Sequence, residues 1–259
     1  SAMVNKFLGN EIDIHGGGQD LAFPHHENEV AQTECATGKA LAKIWMHNGY
    51  INVDNKKMSK SLGNFFTVRD VAEKYDYQVI RYFLLSPHYR SPVNYSAEIL
   101  EQAKGALERL QNCEENLAFR LKSAVGDSLS VAEKTTLLAI DAKISEMDAA
   151  MDDDFNTADA LSCVFEIAKL INTALADNNA SKSFIGNAYE KYRALLVLFG
   201  LEIREKTGSD DAEIEALVAE RTEAKKQKDY KRADEIRDAL GKMGVVIEDT
   251  PQGPKWKRV

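Results

Sequence analysis

The sequence predicts an α/β segment, then a mainly α-helical bundle, then a small α+β unit at the C-terminal end. Three observations carry this. Strand-like runs that end in glycines or in a lysine–serine loop fall within residues 1–66. From Ser96 to Phe199 apolar residues recur at helical spacing in four stretches, with cap residues between them. After Ala212 two shorter helical patterns give way to two strand-like runs around Pro251-Gln252-Gly253.

At 259 residues and 44% apolar, the chain can bury cores in two or three domains. No apolar run approaches the roughly 18 residues that suggest a membrane span, and no secretory leader is expected. Three cysteines at irregular spacing make no disulfide framework and, with five histidines, fit a reducing cytoplasm. The net charge of −8 argues at first sight against a nucleic-acid partner. Its distribution reverses that. Residues 1–95 hold 10 basic and 10 acidic side chains, 96–211 hold 12 and 21, and 212–259 hold 11 and 10. The acidity sits in the middle, so both ends are free to meet phosphate.

The first strand, Ile12 to His15, ends in Gly16-Gly17-Gly18, which let the backbone approach a ligand or simply turn. Asp20 just beyond can accept from ribose hydroxyls. Pro24 suits a first helical position, after which His25 and Glu29 share a face. That spacing suits zinc, and equally a turn histidine with a solvated glutamate. Cys35 points away from that face. Trp45-Met46-His47 leads toward a strand at Tyr50 to Val53, with Trp45 and Met46 expected in the core.

Lys57-Met58-Ser59-Lys60-Ser61 follows that strand, and Thr67 to Asp70 reads as a capped helix start. Two ammonium groups, two hydroxyls and loop amides, with Gly63 permitting a close turn, suit a mobile clamp on a polyphosphate. A solvated basic loop has the same composition. Asp76 starts an amphipathic helix to Leu85, and Ser86 to Tyr95 reads as an irregular connection in which Arg90 meets a phosphate or two tyrosines pack.

Helices are then expected from Ser96 to about Leu121, from a capping box at Ser130 and Glu133 to Met151, from Thr157 to Leu175, and from Ser183 to Phe199 with Gly200 as a stop. Asp152-Asp153-Asp154 between the second and third reads as a turn and helix start rather than a metal site. Residues 205–211 form a linker. Helices at Ala212–Gln227 and Tyr230–Met243 precede a hairpin. Lys225, Lys226, Lys228, Lys231 and Arg232 cluster beside Tyr230, and Trp256 stands among Lys255, Lys257 and Arg258. Charge beside an aromatic ring suits an unpaired RNA base; a solvated helix face and a core tryptophan read the same way.

Lys57 to Ser61 spell KMSKS, and this resembles the signature loop of class I aminoacyl-tRNA synthetases, which holds the ATP triphosphate. Asp13 to Leu21, Phe23 to Glu29, Trp45 to His47, Met58 to Val71 and the Pro251-Gln252-Gly253 tail with Trp256 narrow it. Over essentially its whole length the chain resembles the cysteinyl-tRNA synthetases. The resemblance implies a partial Rossmann-type catalytic segment (1–66), a stem-contact region (67–95), a helical bundle (96–204) and an anticodon-binding domain (212–259).

It implies ATP-dependent activation of cysteine and transfer to tRNA(Cys), by a monomer. Lys57, Ser59, Lys60 and Ser61 then serve the triphosphate. Gly18, Asp20 and His47 contact adenosine, and His15 lies near the amino acid. His25 and Glu29 become zinc ligands, the zinc choosing a thiolate over a hydroxyl. Lys225, Lys226, Lys228, Arg232, Asp234, Asp249 and Trp256 become tRNA contacts.

The family's other zinc ligands, two cysteines, and its HIGH motif have no counterpart in these 259 residues. Zinc is therefore expected to be weak or absent here, and the chain alone is expected not to form cysteinyl-adenylate. A non-catalytic tRNA-binding fragment is the second reading. A cysteine:amino-sugar ligase of mycothiol synthesis is a third, against which the 212–259 tail speaks.

Overall fold

The computed structural model describes residues 1–59, 63–203, 211–250 and 253–258. The chain opens with α1 (Ala2–Leu8) and β1 (Ile12–Gly18). A tight turn at Gln19–Leu21 and a wide one at Ala22–His26 lead into α2 (Glu27–Thr37), which Gly38 ends at φ +68°. β2 (Ala42–Asn48) then lies parallel to β1, with His15 opposite Trp45, Gly17 opposite His47 and Gly18 opposite Asn48. This is a β–α–β unit with α2 in the crossover.

Two residues later β3 (Ile51–Val53) pairs antiparallel with β4 (Lys56–Lys57) through Asp54 and Asn55, both at positive φ (48° and 60°). Two such residues are what a two-residue hairpin turn requires, and Asp and Asn tolerate that region best. Past the lysine–serine loop, α3 (Val68–Ala72) begins with the expected capping box of Thr67 and Asp70, and α4 (Tyr77–Leu85) with the Asp76 cap.

Two expectations change here. Trp45 to His47 is not a lead-in but the body of β2, since its neighbour β1 offers a full ladder of partners. Ser86 to Tyr95 is not wholly irregular: β5 (Val93–Tyr95) runs parallel to β3. Three residues cannot display an alternating pattern, so only the free edge of β3 creates that strand.

The bundle matches its caps. α5 (Ala97–Ser123), α6 (Val131–Asp152), α7 (Thr157–Leu175) and α8 (Lys182–Phe199) begin at Ser96, Ser130, Asn156 and Ser181, each accepting a backbone N–H of the first turn. Gly200 closes α8 at φ +66°. α4 packs on α5, α5 on α8 and α6 on α7. The main core lies among them: Phe83, Leu110, Leu117, Ile140, Val164, Ile171, Phe184 and Leu196 are buried, and the Tyr192 hydroxyl donates to the Leu110 carbonyl (3.2 Å).

The expected linker falls largely outside the described residues. Beyond it α9 (Asp211–Lys226), α10 (Tyr230–Lys242) and the hairpin of β6 (Val245–Thr250) and β7 (Gly253–Arg258) enclose a separate small core of Ile214, Val218, Ile236, Leu240 and Val245. Lys255 ties this unit to α5, donating to Asn116 Oδ1 (2.8 Å) and pairing with Glu115 Oε2 (3.2 Å). No described helix is long and apolar enough to cross a membrane.

Candidate nucleotide and metal site

The C-terminal ends of parallel strands are where open α/β sheets bind ligands, because the backbone there turns away and leaves a crevice. Gly16–Gly18 and Met46–Asn48 occupy that end of β1 and β2. Gly17 is needed for space, Gly18 less strictly. A Cβ on Gly17 would meet His26 Cε1 at 2.9 Å and Leu21 Cδ1 at 3.0 Å, and one on Gly18 would meet Asp20 Oδ1 at 2.5 Å. Asp20 is exposed beside Gly18.

Behind the glycines four rings interlock. His15 stands edge-on to Trp45 (4.7 Å between centroids) and to His26 (4.8 Å), and His47 lies 5.0 Å from His26. His15 Nε2 is 2.7 Å from Glu29 Oε2, and His26 Nδ1 is 2.8 Å from His47 Nε2. His26 is buried, and desolvation, followed by the charges of His15 and His47, lowers its pKa. Its imidazole is therefore held neutral, the form that can ligate a metal.

His15, His26 and Glu29 form one group whose ligand atoms lie within 4.8 Å of one another. Two imidazoles and a carboxylate are a donor set that zinc accepts with a fourth position left open, so the chemistry of this group fits the ion. The structure thus joins Glu29 to His15 and His26, and leaves the expected partner His25 exposed and outside the group. The α-helical count from Pro24 does not hold there. Phe23 is extended (φ −133°, ψ 132°), the turn over Ala22–His26 is wider than an α-turn, and the regular helix begins at Glu27. His15 comes from another strand, a contact no local spacing can reveal.

The expected phosphate clamp begins on β4. Lys57 is exposed, and its carbonyl accepts from the Asn64 side-chain amide (3.1 Å), whose Oδ1 in turn accepts from Ser59 N (2.9 Å). Asn64 therefore staples the base of the loop, a role its position after the motif did not announce. Lys60 and Ser61 lie outside the described residues.

In the C-terminal unit much of the basic cluster is already paired. Lys225 bonds Asp249, Lys226 lies 3.7 Å from Glu223, and Arg232 bonds Glu220 (2.7 Å) and Glu235. Lys228 is exposed at positive φ, and Asp234 pairs with Arg237 at 3.5 Å. Asp249 receives both Nη atoms of buried Arg221 (2.8 and 3.0 Å), which hold its carboxyl far below the usual carboxylate range. Arg221 was missed in the sequence because an arginine on a polar helix looks solvated. Trp256 packs partly buried on the small core, opposite Ile247.

Comparison with known proteins agrees along the chain. Residues 1–105 match the tRNA synthetases class I (C) catalytic domain, 146–204 the DALR domain, and 209–256 the cysteinyl-tRNA ligase anticodon binding domain. The cysteine–tRNA ligase of Clostridioides difficile (strain 630) is 50% identical over 259 residues, covering 100% of this chain and 56% of the relative. That of Lachnoclostridium phytofermentans is 51% identical over 263 residues, with the same coverages. The chain spans about half the length of these curated relatives.

Among solved structures, the ternary LeuRS–tRNA–LeuAMS complex of Agrobacterium radiobacter K84 aligns with a TM-score of 0.60 at 19% identity, over 72% of this chain and 26% of that one. Methionyl-tRNA synthetase of Mycobacterium tuberculosis in complex with methionyl-adenylate aligns at 0.57 and 20% identity, over 73% and 41%. At such identities these two show the fold, that of class I synthetase catalytic domains. By its sequence, and over its whole length, the chain belongs to the cysteinyl-tRNA synthetase family.

Proposed function

We propose that the chain is part of a cytoplasmic, monomeric cysteine–tRNA ligase and carries one wall of its nucleotide pocket, its helical bundle (96–204) and its anticodon-binding unit (212–259). The observation that carries this reading is the glycine-lined end of β1 and β2, with a two-imidazole, one-carboxylate group behind it and the KMSKS run beginning at Lys57 on β4. In the proposed reaction a cysteine carboxylate oxygen attacks the α-phosphorus of ATP and pyrophosphate leaves. A terminal ribose hydroxyl of tRNA(Cys) then attacks the carbonyl carbon, and AMP leaves.

The groups of this chain act mostly by position and charge. Gly18 lets the adenosine approach the strand end, Asp20 accepts from its ribose, and His47 borders the adenine while holding His26 in place. Lys57 and Lys60, with Ser59 and Ser61, neutralise and orient the triphosphate as negative charge shifts toward the leaving pyrophosphate. His15 sits beside the amino acid and is bonded to Glu29.

Glu29 with His15 and His26, or with His25 as the resemblance implies, would hold zinc, which supplies a soft Lewis acid that prefers a thiolate to a hydroxyl. In the tail, Asp234, Asp249 and Trp256 would meet anticodon bases, and Lys225, Lys226, Lys228 and Arg232 the phosphates. The α9–β7 unit disfavours the cysteine:amino-sugar ligase, which has no anticodon to read.

Cysteine-dependent exchange of pyrophosphate into ATP, measured on a full-length polypeptide that contains this sequence, tests the reading, together with charging of tRNA(Cys). Exchange with cysteine and not with serine is expected. Exchange indifferent to cysteine, or charging of a different tRNA, overturns it.

A further inference from the structure

We propose that Asp154, in the turn between α6 and α7, is a positioning residue. Through residues 87–92 it fixes the end of the β1–β2 sheet at which the nucleotide is proposed to bind, and in its catalytic consequence it rests on that reading.

Asp154 gathers three successive side chains. Its Oδ1 accepts from the Tyr89 hydroxyl (2.6 Å) and from Arg90 Nη2 (3.0 Å), its Oδ2 pairs with Arg90 Nε (2.6 Å), and His88 Nε2 lies 3.8 Å away. The His88 ring stacks on Tyr89 at 4.9 Å. Thr157, at the start of α7, adds a bond from its hydroxyl to the Pro87 carbonyl (3.4 Å). The bundle thus grips this strap at both Pro87 and residues 88–90.

The backbone of the same strap holds the sheet. The Tyr89 carbonyl accepts from Gly49 N (2.7 Å), and the Arg90 carbonyl from the Gln19 side-chain amide (2.9 Å). Gly49 directly follows β2 and Gln19 directly follows β1. The fit at Gly49 is close enough that a Cβ there would collide with the Ser91 carbonyl and lie 2.8 Å from Pro92 N. Turn, strap and strand ends are therefore bonded in series. A shift of the α6–α7 turn bears directly on Gly49 and on Gln19, which lies between Gly18 and Asp20, or breaks one of these bonds.

The turn itself is held in an unusual conformation. Asp154 and Phe155 both have positive φ (59° and 53°). Aspartate tolerates that region, phenylalanine does so poorly, and such residues persist where tertiary contacts over-determine them. All three aspartates are exposed, and the strap contacts fall to the third alone.

Asp154→Gly tests this, because glycine keeps the positive φ without strain while deleting the carboxylate. In this chain, amide exchange at Gly49 and across residues 88–93 is expected to rise about tenfold, with α6 and α7 keeping their protection. Asp154→Asn, which retains an acceptor for Tyr89 but loses the charge facing Arg90, is expected to fall between. A Tyr89→Phe/Arg90→Gln double variant, attacking from the other side, is expected to reproduce the Asp154→Gly pattern.

In a full-length polypeptide containing this sequence, KM for ATP in pyrophosphate exchange is expected to rise about fivefold, with kcat changed about twofold at most. Unchanged exchange at Gly49 in Asp154→Gly overturns the proposal. So does a loss of protection shared by α6 and α7, since the aspartate would then hold only its own turn. If Gly49 loosens as expected while wild-type full-length protein shows no cysteine-dependent exchange, the positioning role stands and the proposed function falls.

Discussion

Gly17 and His26 show how one missing side chain makes room for one ring. The His26 imidazole occupies the space where a Cβ on Gly17 would stand, and reaches His47 because of it. Gly17→Ala is expected to push the ring out and to weaken zinc retention by about tenfold, as loss of an orienting contact typically does. A chelator competition titration against the unmodified chain reads this. Acid acts on the same ring. Burial lowers the His26 pKa, so the unfolded chain binds this proton more readily than the folded one. The stability that neutral His26 contributes is present above its ordinary value of 6.5 and declines as pH falls below it toward the lowered folded value. Protection factors of the amides around residues 15–29, each rate referred to the intrinsic exchange rate at that pH, are expected to fall over that window, and that fall to vanish in His26→Gln.

Asp249 is shifted in the same direction, in a more acidic window. Arg221 and Lys225 hold its carboxyl down, so its contribution is full at neutral pH and lost only in strong acid, below the ordinary 3.8. Asp249→Ala leaves Arg221, at 5% exposure, with an unmatched charge. Because the aspartate side is half exposed, the expected cost to the C-terminal unit is about 1–2 kcal/mol rather than the full penalty of a buried pair. Denaturant unfolding of that unit measures it.

Among the elements, the start of α6 does more than cap itself. Ser130 and Glu133 form a reciprocal box, with Glu133 Oε2 accepting from Ser130 N (2.7 Å). The other oxygen of Glu133 accepts from Ser181 N (2.6 Å), at the residue that caps α8. One carboxylate therefore ties two helix starts together. Ser130→Ala is expected to cost about 1 kcal/mol, as cap removal does. Glu133→Ala is expected to cost more, because it frees a backbone N–H at each of two helix entries. The opposite ranking in chemical denaturation would show that the link to Ser181 contributes nothing. The strands invert this logic. β5 has no cap, no alternating pattern and three residues, and exists because β3 presents a row of unpaired groups beside it.

For the molecule as a whole, the two hydrophobic cores share no buried residue among the described ones, and Lys255 on Glu115 and Asn116 is a polar tie between them. Unfolding is expected to proceed in two transitions, the smaller core melting first because it buries far fewer side chains. In a Trp45→Phe background the fluorescence of Trp256, packed on the small core, is expected to report the earlier transition, and far-UV dichroism mainly the later one. A single coincident transition would mean that the tie couples the cores.

What the sequence determined by itself was whatever depends on neighbours along the chain. Ser96, Ser130, Asp76 and Thr67 cap helices because a hydroxyl or carboxylate two or three residues upstream reaches a free N–H, and Gly200 stops α8 because it alone turns left-handed without strain. The glycine run, the lysine–serine loop and the family resemblance were legible for the same reason, being contiguous. Tertiary structure decided everything that needed two distant segments to meet. His15 and His26 join Glu29 from a strand and a wide turn, Arg221 is buried by Asp249, Val93–Tyr95 becomes a strand, and Asp154 grips Tyr89 and Arg90. Side-chain chemistry is written residue by residue. Which groups come within bonding distance is set by how helices and strands pack, and the linear pattern records only the periodicity of that packing, not its partners.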